Sequence, residues 1–177
     1  MAMNLELEQQ LRRRILGWGL ACDPIYPGLD LGQDLKMTAG SNGKDFARVE
    51  AMDNLSQSLE IALTTLLGSD IFNTQFGFDG LNALVEEINP ILIRERVRIS
   101  IIQVLRQDPR IRRIVDLKLL DARLDPPNAN ADNNLSPEER LERWRTMDVR
   151  VVFETISGDE NSINLGVNLG RVIANAR

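Results

Sequence analysis

The residues whose types could do chemistry are a set of carboxylates, one thiol and a run of phenylalanines. Asp79, Glu86 and Glu87 lie close together in sequence, and Glu138 and Glu139 are adjacent. A pair of carboxylates can run glycoside hydrolysis, one as acid and the other as base or nucleophile. Adjacent positions on a helix point to different sides, so Glu86 and Glu87 form no such pair. Glu138 and Glu139 are better explained as the acidic first turn of a helix. Cys22 is the single cysteine, and the chain contains no histidine. The thiol therefore has no imidazole to activate it, and the commonest metal ligand is missing. Phe72, Phe76 and Phe78 could line a pocket, but aromatics among apolar residues pack into cores first. The sequence thus predicts no catalytic residue, no metal site and no cofactor, and the chain is read as a non-enzyme.

Arginines crowd a later region: Arg94, Arg96, Arg98, Arg106, Arg110, Arg112 and Arg113. A nucleic-acid surface would gather them on one face with aromatics interleaved. No aromatic lies between Phe78 and Trp144, and Arg94 and Arg98 share a helix face that Arg96 does not. The whole chain carries a net charge of -5, from 21 basic and 26 acidic residues. Nucleic acid is not expected as a partner; an acidic protein surface or plain solvent fits these arginines better. The run Arg12, Arg13 and Arg14 has the same two readings, a solvated face or a docking arm for an acidic partner.

The 177 residues suit one domain with a proper core, and a hydrophobic share of 43% with 27% charged residues is ordinary for a globular chain. A single thiol cannot close an intrachain disulfide. No apolar run approaches bilayer-spanning length, and residues 1–10 carry Glu6 and Glu8 and lack a signal-peptide core, so direct membrane insertion is not expected and cytoplasmic synthesis is.

Elements follow from periodicity. Residues 4–20 read as a helix with Leu7, Leu11, Ile15 and Trp18 on one stripe. Residues 21–44 hold Pro24, Pro27, Gly28, Gly32, Gly40 and Gly43 and read as a loop with one short extended piece. Residues 45–67 read as a helix with Met52, Leu55, Leu59, Ala62, Leu63 and Leu66 on its apolar face, ended by Gly68 as C-cap. A short helix starts near Asp79 or Gly80. Residues 90–107 form a second long helix, with Asn89 as N-cap and Pro90 at its first position. Ile93, Val97, Ile101, Val104 and Leu105 mark its buried stripe, and Ile91, Leu92, Ile99 and Ile102 widen it, which predicts cover on two sides. Pro109 ends it.

Beyond Pro109 the pattern turns to period two. Val115, Leu117 and Leu119 alternate with Asp116 and Lys118; Val149, Val151 and Phe153 with Arg150, Val152 and Glu154; and Ile163, Leu165, Val167 and Leu169 with Asn164, Gly166 and Asn168. The last two strands are joined by a hairpin over 157–161. Residues 125–134 read as a mobile polar loop, followed by a helix start at Ser136-Pro137-Glu138-Glu139 that carries Leu141 and Trp144. There are no internal repeats.

The stretch Leu63-Thr64-Thr65-Leu66-Leu67-Gly68, then Phe72-Asn73 and Phe76-Gly77, then Asp108-Pro109-Arg110 followed by Ile111 and Ile114-Val115, resembles the baseplate wedge and sheath-initiator family of contractile tails. That family occurs in contractile phages, type VI secretion baseplates and extracellular contractile injection systems. The resemblance covers roughly residues 45–173, with its best match over 55–110. The run Gly28 to Leu35 resembles the family's glycine and aspartate lead-in, and reads equally as a plain surface linker. Family members carry Glu-Pro-Arg where this chain has Asp108-Pro109-Arg110, so the acid keeps its charge with a shorter reach.

The resemblance implies an α+β fold: two main helices packed on a small, mostly antiparallel sheet with an open C-terminal edge strand. Residues 45–177 would form this domain and residues 1–44 an N-terminal helix and linker. It implies a structural role in the baseplate of a phage tail or injection particle, six copies per baseplate. Sheath protein and other wedge proteins would be partners, with tail tube or hub proteins as further candidates. The protein-binding residues it implies are Asp108, Pro109 and Arg110 at the corner, and Ile163, Leu165, Val167 and Leu169 on the edge strand, which would nucleate the sheath by strand addition. From the residues alone, Arg110 could instead close an internal ion pair with Asp108 or Asp116. The competing functional readings are a non-catalytic adaptor that binds an extended peptide at the same edge, and a lysozyme-like hydrolase.

Overall fold

The computed structural model describes residues 2–26, 29–40, 43–121, 124, 136 and 146–168. The chain is α+β and divides into two units, Met1–Leu59 and Glu60–Arg177. The division between these units falls inside a helix. Leu169, the whole polar loop 125–134 and all of the helix start at 136–144 except Ser136 lie outside the described residues.

In the first unit, α1 spans Ala2–Leu16 and stops short of the expected residue 20. Gly17 ends it with φ +77°, its N–H bonding the Arg13 carbonyl at 3.0 Å. Glycine enters that left-handed region without strain, which is why helices stop there. Trp18 then begins a strand instead of continuing the helical stripe.

The described part of residues 21–44, read as a loop, is largely strand, and so are the flanking residues 18–20 and 45–50, read as helix. Together they form β1 (Trp18–Leu20), β2 (Cys22–Tyr26), β3 (Leu29–Leu35), β4 (Met37–Gly40), β5 (Gly43–Phe46) and β6 (Arg48–Glu50). The strands pair as separate antiparallel ribbons, β1 with β6, β2 with β3 and β4 with β5. One residue separates each ribbon from the next, and these residues close a ring of backbone bonds. Ala21 N–H donates to Ala47 O at 2.9 Å, Ala47 N–H to Lys36 O at 2.8 Å, and Lys36 N–H to Ala21 O at 2.9 Å. The result is a three-way junction. Prolines and glycines were poor guides here because each strand of a two-stranded ribbon is an edge. An edge tolerates a missing N–H, and Pro24 lies next to a register shift in β2.

The following helix, α2, spans Ala51–Thr64, six residues shorter at its start than the pattern suggested. Its first turn is lost to β5 and β6, and Ala51 makes the strand-to-helix corner with φ +53°, unusual for a residue with a Cβ. Leu55 and Leu59 are buried, as their spacing predicts. Asn54, also buried, donates from Nδ2 to the Leu16 carbonyl at 3.0 Å, and Gln57 donates to the Leu20 carbonyl at 2.8 Å.

In the second unit, α2 ends at Thr64, four residues before Gly68. Gly68 does take a left-handed φ, +77°, but within the connection and not as the helix cap. The connection is a small ladder: Phe78 N–H donates to Thr65 O at 2.7 Å, and Leu67 N–H to Phe78 O at 3.3 Å. Phe78 is buried, whereas Phe72 is 94% exposed, so the phenylalanines do not line a common pocket.

Short α3 (Gly80–Glu86) follows Asp79, and α4 (Pro90–Gln107) starts as its sequence requires. The Asn89 side chain accepts the Ile91 N–H at 2.9 Å, with Pro90 beside it in the first turn. Ile93, Val97, Ile101, Val104 and Leu105 are buried as expected. Ile91, Leu92 and Ile99 are exposed, so the second side of α4 is not covered by the described residues, against the expectation.

The sheet is antiparallel, in the order β7 (Ile111–Asp121), β8 (Thr146–Thr155), β9 (Glu160–Asn168). The helix α4 lies against β7. Met147, Val149, Val151 and Phe153 of β8 are buried and Asp148 and Arg150 exposed, the period-two pattern of a one-sided sheet. The pattern of β7 is different: register shifts fall between Ile111 and Arg113 and between Ile114 and Asp116. Each shift adds a residue without a partner, so Ile111, Ile114 and Leu117 recur at steps of three on the less exposed side. Val115, expected on the inner face, is the extra residue at the second bulge and is 45% exposed.

Candidate protein-binding surface

The Asp108-Pro109-Arg110 corner is built by the end of α4. Proline at 109 keeps residue 108 out of helical geometry, and Asp108 adopts φ -83° and ψ 114° as the C-cap. Its carboxylate then accepts the Arg110 backbone N–H at 2.9 Å and the guanidinium twice, from Nε at 2.9 Å and from NH2 at 2.6 Å. The fork-on-carboxylate geometry is the strong form of an ion pair. Arg110 thus closes on Asp108, the internal pairing left open by the sequence. Pro109, between them, is exposed.

The same corner is tied to the β8–β9 hairpin. Arg110 O accepts the Ile156 N–H at 2.9 Å. The hairpin is held by its own side chains: Ser157 Oγ donates to Asp159 Oδ2 at 2.8 Å and lies 2.8 Å from Thr155 Oγ1. Gly158 supplies the positive φ of +85° that the turn needs. This fixes where β9 begins, and with it the register Val151 to Ile163, Val149 to Leu165 and Met147 to Val167.

The predicted contact residues do not converge. Asp108, Pro109 and Arg110 sit at the hairpin end of the sheet. The edge strand runs away from that end for about 27 Å, at ~3.4 Å per residue. Ile163 is buried, opposite buried Val151, so its side chain belongs to the core and is not offered to a partner. Ser162 and Asn164 are exposed. What β9 offers outward is its backbone: among the described residues no strand pairs with its outer side.

The two edges of the sheet differ. The outer edge of β7 is broken by the two bulges, and the Leu119 carbonyl is taken by Arg94 NH2 at 2.8 Å. At the first bulge, Arg112 and Arg113 both reach Glu154, Arg112 NH1 at 3.1 Å and Arg113 Nε at 2.5 Å. Bulges and charge are how natural sheets close an edge to strange strands. The β9 strand carries neither a bulge nor a lysine nor a proline.

Two more arginines of the crowd, Arg96 and Arg98, are engaged with the fold. Arg96 bridges Glu86 at 2.9 Å, Glu87 at 3.4 Å and Asp79 at 3.9 Å, tying both ends of α3 to α4. The hydrogen bond to Glu86 raises the Arg96 pKa further, with the nearby carboxylates adding to it against partial burial. Asp79, Glu86 and Glu87, three of the carboxylates considered for catalysis, are thus partners of one guanidinium, and Glu138 and Glu139 lie outside the described residues. Arg98 pairs with Glu95 on its own helix at 3.5 Å. Among the described residues no group of three or more His, Cys, Asp or Glu side chains could hold a metal, and no helix is long and apolar enough to cross a membrane.

Two carboxyls sit below their usual range. At Asp108, partial burial pushes the pKa up, and the hydrogen bonds and charge of Arg110 outweigh it. At Glu154, the Arg113 hydrogen bond dominates and Arg112 adds to it. A carboxyl with a depressed folded pKa stabilises the fold above its unfolded pKa, about 4, and loses that contribution as the pH falls through its folded value. Acid melts of the wild-type chain should therefore lose more stability below pH about 4 than melts of the Asp108→Asn/Glu154→Gln variant. Parallel curves would show that these pairs contribute nothing to folding.

No family model matches the chain, and no curated protein matches it.

Proposed function

We propose that this chain is a structural, non-catalytic component of a contractile injection baseplate that binds wedge proteins and nucleates sheath assembly by strand addition at β9. The carrying observation is the asymmetry of the sheet. The β7 edge is closed by bulges, ion pairs and Arg94, while the β9 edge runs straight with no strand on its outer side among the described residues. One group there, the Ser162 N–H, is held by Asn161 Oδ1 at 2.8 Å, and an added strand would exchange that contact for backbone hydrogen bonds along the edge. The Asp108-Pro109-Arg110 corner is a separate surface at the other end of β9. With Arg110 already locked on Asp108, a wedge protein would meet a preformed, rigid corner with Pro109 at its tip. The residue resemblance to baseplate wedge proteins supplies the identity of the partners, and the sheet supplies the means.

The test is to tag the chain in its native host, purify gently, identify what co-purifies and image the eluate by electron microscopy. Sheath and wedge proteins on rod-like particles are the expected result. A lone protein, under conditions in which particles are made, overturns the reading and promotes the adaptor alternative.

A further inference from the structure

Every residue of α1 from Glu6 to Ile15 is exposed. Printed contacts aside from its own backbone bonds tie down its C-terminal end. Leu16 is 1% exposed, its carbonyl accepts from Asn54, and Arg13 pairs with Glu50 at 2.8 Å. Helices of this length are marginal in water unless a face is covered. Leu7, Leu11 and Ile15 recur at four-residue steps and form one uncovered stripe, on a different side from Arg13.

The charges on α1 say what would cover it. The half before Leu11 carries Glu6 and Glu8, and the half after it carries Arg12, Arg13 and Arg14. A second helix of the same sequence, laid antiparallel, matches this pattern on both counts. With Leu11 at the two-fold axis, Leu7 of each copy meets Ile15 of the other, and Leu11 meets Leu11. Glu8 then lies on the same flank as Arg12 of the second copy, and symmetry repeats the pair. A parallel arrangement would set acid beside acid and base beside base. We infer that α1 is a self-association element through which two copies of this chain pair antiparallel. This inference does not rest on the baseplate reading.

The interface is small, so the dissociation constant should be weak, on the order of 10 to 100 μM. Sedimentation velocity of the full chain over that range is the test. The wild-type chain should shift from monomer to dimer, and Leu11→Asp should weaken pairing at least about tenfold with an unchanged circular dichroism spectrum. Glu8→Lys alone should also weaken it, and Glu8→Lys together with Arg12→Glu should restore it. A wild-type monomer throughout overturns the inference and leaves the stripe to a helix of a different protein. A dimer indifferent to Leu11→Asp places the contact elsewhere and overturns it too. Failure of the double exchange to restore pairing overturns the antiparallel register.

Discussion

Gly77→Ala should destabilise the chain by about 3 kcal/mol or more, because two penalties coincide at one residue. Gly77 has φ +113°, a region that residues with a Cβ rarely enter. Holding a side chain there costs roughly 1–3 kcal/mol by itself. The added Cβ would also stand 2.8 Å from Thr65 O and 2.9 Å from both C and O of Leu66. Those are backbone atoms, so no rotamer change relieves the contact. They also belong to the ladder that seats Phe78, whose N–H bonds Thr65 O at 2.7 Å.

The chain supplies its own control. Gly43 has nearly the same φ, +116°, yet nothing lies within 4 Å of where its Cβ would be. Gly43→Ala should therefore cost only the backbone part, roughly 1–3 kcal/mol. Thermal melts should show Gly77→Ala lower by roughly 6–12 °C, at ~2–4 °C per kcal/mol for a chain of this size. If Gly77→Ala costs no more than Gly43→Ala, the close approach of 65–66 to 77 does not hold the connection together.

Under the function proposed above, lysines on the exposed positions of β9, in the Ser162→Lys/Asn164→Lys variant, should impair sheath nucleation while leaving the fold intact. Both side chains are exposed, so the change removes no core contact. Ile163 between them stays packed against the buried row of β8. Lysine on an edge strand opposes pairing because an incoming strand must desolvate or displace the ammonium groups. In a particle-producing host, baseplates should still form. Sheathed particles should fall at least about tenfold, the effect of ~1.4 kcal/mol at each nucleation site. Melting temperature and circular dichroism should match the wild type. Sheaths of normal number on such baseplates would rule out β9 as the template. Loss of baseplates as well would place the effect on a wedge contact instead. Deleting β9 outright is a poorer test, since it would strip Ile163 from the core.

The sequence by itself determined the elements whose signals are local. Asn89-Pro90 set the start of α4 and Asp108-Pro109 its end, because capping and proline sterics act within a few residues. The period-two runs set β8 and β9, because a sheet buried on one face imposes alternation. Gly17 and Gly68 adopt the left-handed backbone that glycine permits, yet their roles came from context: Gly17 ends a helix that the Leu and Trp periodicity would have carried on, and Gly68 sits in a ladder beyond one.

Tertiary structure decided everything that depends on pairing at a distance. The ribbons within residues 18–50 pair two strands at a time and do not share one buried face that would impose alternation on the sequence, and their junction is made by backbone atoms of Ala21, Lys36 and Ala47. The bulges in β7 exist only relative to β8, so the three-residue steps from Ile111 to Leu117 were unreadable in one strand alone. Arg110 could have reached outward or inward, and the corner geometry turned it onto Asp108. The stripe Leu7, Leu11 and Ile15 was legible as a stripe, but its exposure, read from the fold, was not.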